Sequence, residues 1–225
     1  MYYNSLISFK ELLEDYMDNL FSVYEHELEL MLANYNVLTR ENNNIESSTA
    51  IGYILEEFII SKLHTFTEHK KNAKFIVYPA ETAHKSYDCF AEFNGIRFLI
   101  NIKSTKDTNN AVAAINKLKM DYCDDDTLKS FIILKVYYGF VKEGAKRKIK
   151  ILQYDTFAIE EVDFSGGHVQ DHRSWSKENK LNSGRLQIST KFREDNPMPI
   201  DLVSFAVTKK QILNMVDKNN DEDNE

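Results

Sequence analysis

Apolar residues in the first part of the chain recur at helical intervals. Leu6, Phe9, Leu13, Met17, Leu20, Val23, Leu28, Met31 and Leu32 are separated by polar and acidic positions, which predicts one or two amphipathic helices over 5–35. The polar run ENNNIESS (41–48) interrupts the pattern. Ser48 or Thr49 can cap a following helix of about 49–67, which carries Ile51, Leu55, Phe58, Ile59 and Leu63 on one side. The period then changes from helical to alternating. KFIVYPA (74–80) is a short β-rich run ended by Pro79, and SYDCFAEF and IRFLINIKS are joined by Asn94-Gly95. An Asn-Gly between two β-prone runs predicts a hairpin, because both turn residues must accept positive φ. A helix is expected over 109–122, a buried strand over 130–140 and another strand over 146–154. Periodicity fades in the Gly-punctuated, polar segment 165–192, and a last helix is expected near 208–217.

The order helix, strand, hairpin, helix, strand implies an α/β fold with a mixed central sheet flanked by helices. The expected organisation is an N-terminal helical lobe (1–46), a core (47–140), C-terminal strands and loops (141–216) and an acidic, disordered tail (217–225). The N-terminal helices, acidic on one side and apolar on the other, suit either a dimer lobe or a cover for the sheet. The pattern does not separate the two.

Composition narrows the function classes. No run of eighteen apolar residues exists, so no membrane helix is expected, and the N-terminus lacks the basic and apolar regions of a signal peptide. Cys89 and Cys123 show no metal-ligand spacing and read as small buried hydrophobes of a protein in a reducing cytosol. The net charge of −7 argues at first against nucleic acid, but its distribution is uneven. Residues 1–46 carry 2 basic and 9 acidic groups, and the tail carries 1 and 5, leaving 25 basic against 21 acidic in 47–216. A mildly basic middle permits DNA binding without demanding it.

The Asn-Gly turn turns pattern into chemistry. Pairing outward sets Phe93 against Ile96, Glu92 against Arg97, Ala91 against Phe98, Phe90 against Leu99 and Asp88 against Asn101. One face then carries Cys89, Ala91, Phe93, Ile96, Phe98, Ile100 and Ile102, all apolar. The other carries Asp88, Phe90, Glu92, Arg97, Leu99, Asn101 and Lys103, with Glu92 and Arg97 expected as a cross-strand ion pair. A carboxylate, an amide oxygen and an ammonium converge at one end. That set suits phosphodiester hydrolysis with a hard cation such as Mg²⁺, and equally a plain Asp–Lys ion pair at a sheet edge.

Asp88 followed after twelve residues by Asn101-Ile102-Lys103 resembles the PD-(D/E)xK nuclease motif, with Asn where that family has Asp or Glu. The element order of 49–137 resembles the family core, and Gly52 followed by Glu56 resembles its first helix, whose Glu supports the metal site. The hydrophobic-Lys-Ser ending of IKS is similar to that of Type II restriction endonucleases that leave blunt ends. The resemblance implies a restriction-endonuclease-like core. It further implies Mg²⁺ held by Asp88, Asn101, the Ile102 backbone carbonyl and Glu56, with Lys103 orienting the attacking water. The implied partner is double-stranded DNA, cut by a bacterial, cytoplasmic homodimer at a palindromic site. A likeness in size and Asn/Lys/Ile-rich composition to a family member that cuts an A·T-only site implies an A·T-rich one. Asn101 adds no charge, so it is either a disabling replacement of Asp, a natural variant compensated by Glu56, or the mark of a domain that binds DNA without cutting. A non-catalytic interaction protein is the alternative outside nucleic-acid biology. Lys106, Asn109 and Asn110 follow the motif strand and suit phosphate contacts. Gln170, Asn179, Asn182, Arg185 and Gln187 have donors and acceptors suited to base edges.

Overall fold

The computed structural model describes residues 2–29, 31–32, 35–36, 48–106, 111–124, 127–143, 146–165, 169–170 and 185–222. In chain order the elements begin with α1 (Tyr2–Ser22), the short strands β1 (Glu27–Leu28), β2 (Met31–Leu32) and β3 (Tyr35–Asn36), and α2 (Ser48–His69). Next come β4 (Val77–Pro79), β5 (Cys89–Phe93), β6 (Ile96–Thr105), β7 (Ala111–Ala114) and α3 (Ile115–Leu118), which runs into a π-helical turn at Lys119–Cys123. The chain continues through β8 (Lys129–Glu143), β9 (Lys146–Ala158), a 3₁₀ turn at Ile159–Glu161, β10 (Val169–Gln170), β11 (Arg185–Ile188), α4 (Thr190–Asp195) and α5 (Leu202–Glu222).

Six strands form a mixed sheet in the order β1-β9-β8-β6-β5-β4, in which β6 and β8 run parallel and their outer neighbours antiparallel. The expected α/β class with a helix-flanked mixed sheet is therefore observed. The sheet draws on residues 27–28 and 146–158 as well as on the middle of the chain.

Both faces of the sheet are covered, which explains why β8 reads as a continuous apolar run. On one face α1 and α2 pack Leu6, Phe9, Leu13, Met17, Ile51, Leu55 and Ile59 against Ile100, Ile102, Ile132 and Leu134. Phe9 stacks on Phe98 with ring centroids 3.8 Å apart. Of the two roles open to the N-terminal helix, covering the sheet is the one observed for Tyr2–Ser22. On the other face Leu99, Phe131, Ile133 and Phe157 pack against Ile115, Leu118, Tyr122, Leu186, Ile212 and Met215.

Three expectations are corrected. One helix of the one or two expected over 5–35 forms, and it ends at Ser22 rather than near 35, because Glu25 and His26 adopt positive φ (53° and 57°) and the chain turns into short strands. The segment expected to be helical over 109–122 divides, and Ala111–Ala114 pairs with Arg185–Ile188 as a strand. A sheet partner from a distant part of the chain overrides alanine's helical propensity there. The last helix is also longer than expected. It runs from Leu202 to Glu222 rather than over 208–217, and no Gly or Pro stops it. Cys89 and Cys123 are free and buried, and burial pushes both thiols up, as suits structural cysteines. No helix among the described residues is long and apolar enough to cross a membrane.

Candidate active site

The Asn-Gly turn sets the hairpin's register. Asn94 and Gly95 both have positive φ (52° and 77°), as a type I′ turn requires. Pairing outward gives Phe93↔Ile96, Glu92↔Arg97, Ala91↔Phe98, Phe90↔Leu99 and Cys89↔Ile100, the register read from the sequence. The Asp88 amide donates to the Ile100 carbonyl at 2.9 Å, one residue off this register, so the ladder ends at Cys89 and the expected Asp88–Asn101 pair is not formed. Glu92 and Arg97 face each other but do not pair. The Arg97 guanidinium instead donates to Glu81 at 2.6 Å and lies over the Phe90 ring, 4.1 Å from its centroid. The aromatic face on the neighbouring strand draws the guanidinium away from the exposed Glu92.

Asp88 and Lys103 come together. The Asp88 carboxylate accepts the Ile102 amide at 2.7 Å, and the Lys103 ammonium stands 3.7 Å from the same oxygen. Both side chains are about one-third exposed (30% and 31%), which leaves them reachable from solvent. Lys103 also donates to the Ile102 carbonyl at 2.8 Å, so this carbonyl, expected as a metal ligand, already holds a cation.

Asn101 is buried, at 6% exposure. Its Nδ2 donates to the Ser86 carbonyl at 2.7 Å, while Oδ1 has no hydrogen-bond partner. The Ser86 bond sets the orientation of the amide, because the reversed amide would set oxygen against oxygen. A buried acceptor with nothing to accept is costly unless a ligand or water completes it.

Glu56 arrives from α2. Its Oε1 accepts the Ser104 amide at 3.0 Å and lies 3.2 Å from the Ser104 hydroxyl, which also reaches the Gly52 carbonyl at 3.2 Å. A Cβ on Gly52 would lie 3.1 Å from Ser104 Oγ, so glycine permits the close approach of helix and strand that brings Glu56 to the end of β6. Burial raises the Glu56 pKa, aided by the Asp88 charge and opposed by the Lys103 charge and the Ser104 hydrogen bonds. Glu57, its neighbour, is exposed.

The expected DNA contacts are less concentrated. Lys106 follows β6 and holds its ammonium 4.3 Å from the Phe140 ring centroid. Asn109, Asn110, Asn179 and Asn182 lie outside the described residues. Gln170, Arg185 and Gln187 belong to the small sheet β10-β11-β7, in which Arg185 and Gln187 alternate with the buried Leu186 and Ile188.

Several polar residues around the site gave no signal in the sequence. Asp121, in the π turn, accepts the Ser86 amide at 2.6 Å and the Lys85 ammonium at 3.1 Å. Glu81 accepts from Tyr87 Oη and Arg97, both at 2.6 Å, and so steadies the loop that leads into Asp88. Lys135, at 2% exposure, stands beside Lys103 in the parallel register and donates to Tyr137 Oη at 2.8 Å. No motif ties these positions together in the sequence.

The residues suit a hard cation in part. Asp88 and Glu56, close enough for their charges to act on each other, and the orphaned Asn101 oxygen are donors of the kind Mg²⁺ accepts while retaining water. Among the described residues no three His, Cys, Asp or Glu side chains gather as a metal cage, so the third oxygen would be the amide.

No family model matches this chain, and no curated protein matches it. Among solved structures it is similar to NlaIV restriction endonuclease, with a TM-score of 0.49 and 10% sequence identity over 91% of this chain and 79% of that one.

Proposed function

We propose that this chain is a Mg²⁺-dependent endonuclease of the PD-(D/E)xK type, acting on double-stranded DNA in the manner of a Type II restriction enzyme. One observation carries the reading: the Asp88 carboxylate and the Lys103 ammonium meet at 3.7 Å at the end of a turn-locked hairpin, on the strand that also carries the orphaned Asn101 oxygen. Glu56 is held close by Gly52 and Ser104.

In this reading Asp88, Glu56 and Asn101 Oδ1 hold the cation, which supplies charge neutralisation at the scissile phosphate. Lys103 orients a water for in-line attack on phosphorus, and its position against Asp88 keeps the ammonium at the reacting centre. The water oxygen bonds to phosphorus as the P–O3′ bond breaks, leaving a 5′-phosphate and a 3′-hydroxyl. A homodimer would cut both strands of a palindromic site. Lys106, Gln170, Arg185 and Gln187 would contact the duplex.

A second reading, a domain of the same fold that binds DNA without cutting, is favoured by one feature. Asn101 supplies no charge where the motif has an acid, which leaves Asp88 and Glu56 as the site's acids.

The test compares the chain, Asn101→Asp, and Lys103→Ala in each background, on A·T-rich duplex DNA with Mg²⁺. Fragments from the unaltered chain, abolished by Lys103→Ala, support a working enzyme built around an amide. Fragments from the Asn101→Asp variant alone make the present sequence a disabled enzyme. Cleavage by neither form, together with salt-dependent duplex binding, supports the non-cutting reading. No binding at low salt overturns both.

A further inference from the structure

The geometry points to Asp121 as a positioning residue that sets the direction in which Asn101 presents its oxygen. The inference rests on the proposed role of Asn101 as a ligand, and it concerns a residue two steps from the site.

Asp121 sits in the π turn that ends α3, with Tyr122 and Cys123 buried next to it. Such wide turns insert a residue into a helix and re-aim the side chains around it. Here the Asp121 side chain, at 7% exposure, faces the loop before β5. One carboxylate oxygen takes the Ser86 amide at 2.6 Å and the other takes the Lys85 ammonium at 3.1 Å. Its own backbone carbonyl accepts the buried Lys129 ammonium at 2.7 Å, which ties the turn to the start of β8. Ser86 is therefore held from outside the hairpin. Its carbonyl, on the far side of the same residue, receives Asn101 Nδ2 at 2.7 Å.

The consequence lies in the amide's asymmetry. With Nδ2 committed to Ser86, Oδ1 is the atom left to face a ligand, and it is the one without a partner. If Ser86 drifts, the amide loses its anchor, and its nitrogen and oxygen become interchangeable toward the site. A charge-assisted hydrogen bond donated to a fixed carboxylate is strong enough to hold a loop residue in this way. The relay also explains the residue type at 101. A carboxylate there would set an oxygen against the Ser86 carbonyl, whereas an amide donates to it.

Full-length chain with a labelled Asn101 side-chain amide provides the test, read by hydrogen exchange of the Nδ2 protons and by titration with Mn²⁺ alone. Asp121→Ala should accelerate that exchange and raise the Mn²⁺ dissociation constant by about 10- to 100-fold, the range for losing outer support of a ligand. Asp121→Asn keeps an acceptor for the Ser86 amide and should restore both readouts to near the wild-type values. A carboxylate that served only to neutralise Lys85 would leave Asn as poor as Ala, and that result overturns the proposal. Wild-type exchange in Asp121→Ala overturns it equally. If Asp121→Ala does not fold, Asp121→Ser, too short to reach Ser86, takes its place under the same criteria. Should the unaltered chain bind no Mn²⁺, the metal reading of the site fails, and the relay is decided by amide exchange alone.

Discussion

Glu160 is fully buried in the second core, and its ionisation should be visible in the stability of the whole chain. Its Oε1 accepts Tyr122 Oη at 2.8 Å and the Phe131 amide at 3.1 Å, while Oε2 accepts Ser130 Oγ at 3.2 Å. Burial pushes the carboxyl from 4.5 up to about 7, against the pull of these donors. The folded state thus holds the proton more tightly than the unfolded state. The resulting stability is fully present below about pH 4.5 and is lost as pH rises through about 7. At 1.36 kcal/mol per unit, the whole window is worth about 3 kcal/mol. Glu160→Gln cannot ionise, yet it fits the same partners. Its oxygen can take Tyr122 and Phe131, and its nitrogen can donate to Ser130, whose hydroxyl also accepts. Urea unfolding of both forms from pH 5 to pH 8 should show the variant gaining about 2–3 kcal/mol on the wild type. A difference between the two that stays constant with pH would refute the assignment of a proton to this carboxyl.

Other perturbations probe the hairpin and its supports. Phe9→Ala removes a fully buried ring stacked on Phe98 and should cost about 3–5 kcal/mol in chemical denaturation, as expected of a core residue rather than of a detachable lobe. Gly52→Ala pushes Ser104 Oγ from a contact of 3.1 Å and disturbs its bond to Glu56, a loss of about 1 kcal/mol that alanine's gain of about 1 kcal/mol inside a helix offsets, so urea melts should show little net change. Since burial raises the Glu56 carboxyl, Mn²⁺ affinity should climb with pH beyond the ordinary carboxylate range. Glu56→Gln should flatten that climb in a pH series of metal titrations. The stability sign runs the other way: Glu56 contributes most below its unfolded pKa and loses that contribution as pH rises through the raised folded value.

The parts of this protein legible in its sequence are those ruled by short-range physics. Asn94-Gly95 admits few backbone shapes, and that local constraint settles the register, the apolar face of the hairpin and the approach of Lys103 to Asp88 at its far end. The helical spacing of Leu6, Phe9, Leu13 and Met17 likewise marks a buried stripe wherever the helix ends up. Contacts between distant segments were not legible. Ala111–Ala114 forms a strand because Arg185–Ile188 lies beside it, and no local signal carries that partner. Arg97 turns to Glu81 and Phe90 rather than to Glu92 because the loop before β5 folds back over the hairpin. Asp121 was invisible for the same reason: thirty-five residues separate it from Ser86, and only the packing of the π turn against that loop joins them. The alternation of a strand determines which side an asparagine occupies. Which end of its amide faces the site is decided by a carbonyl that tertiary structure brings within 2.7 Å.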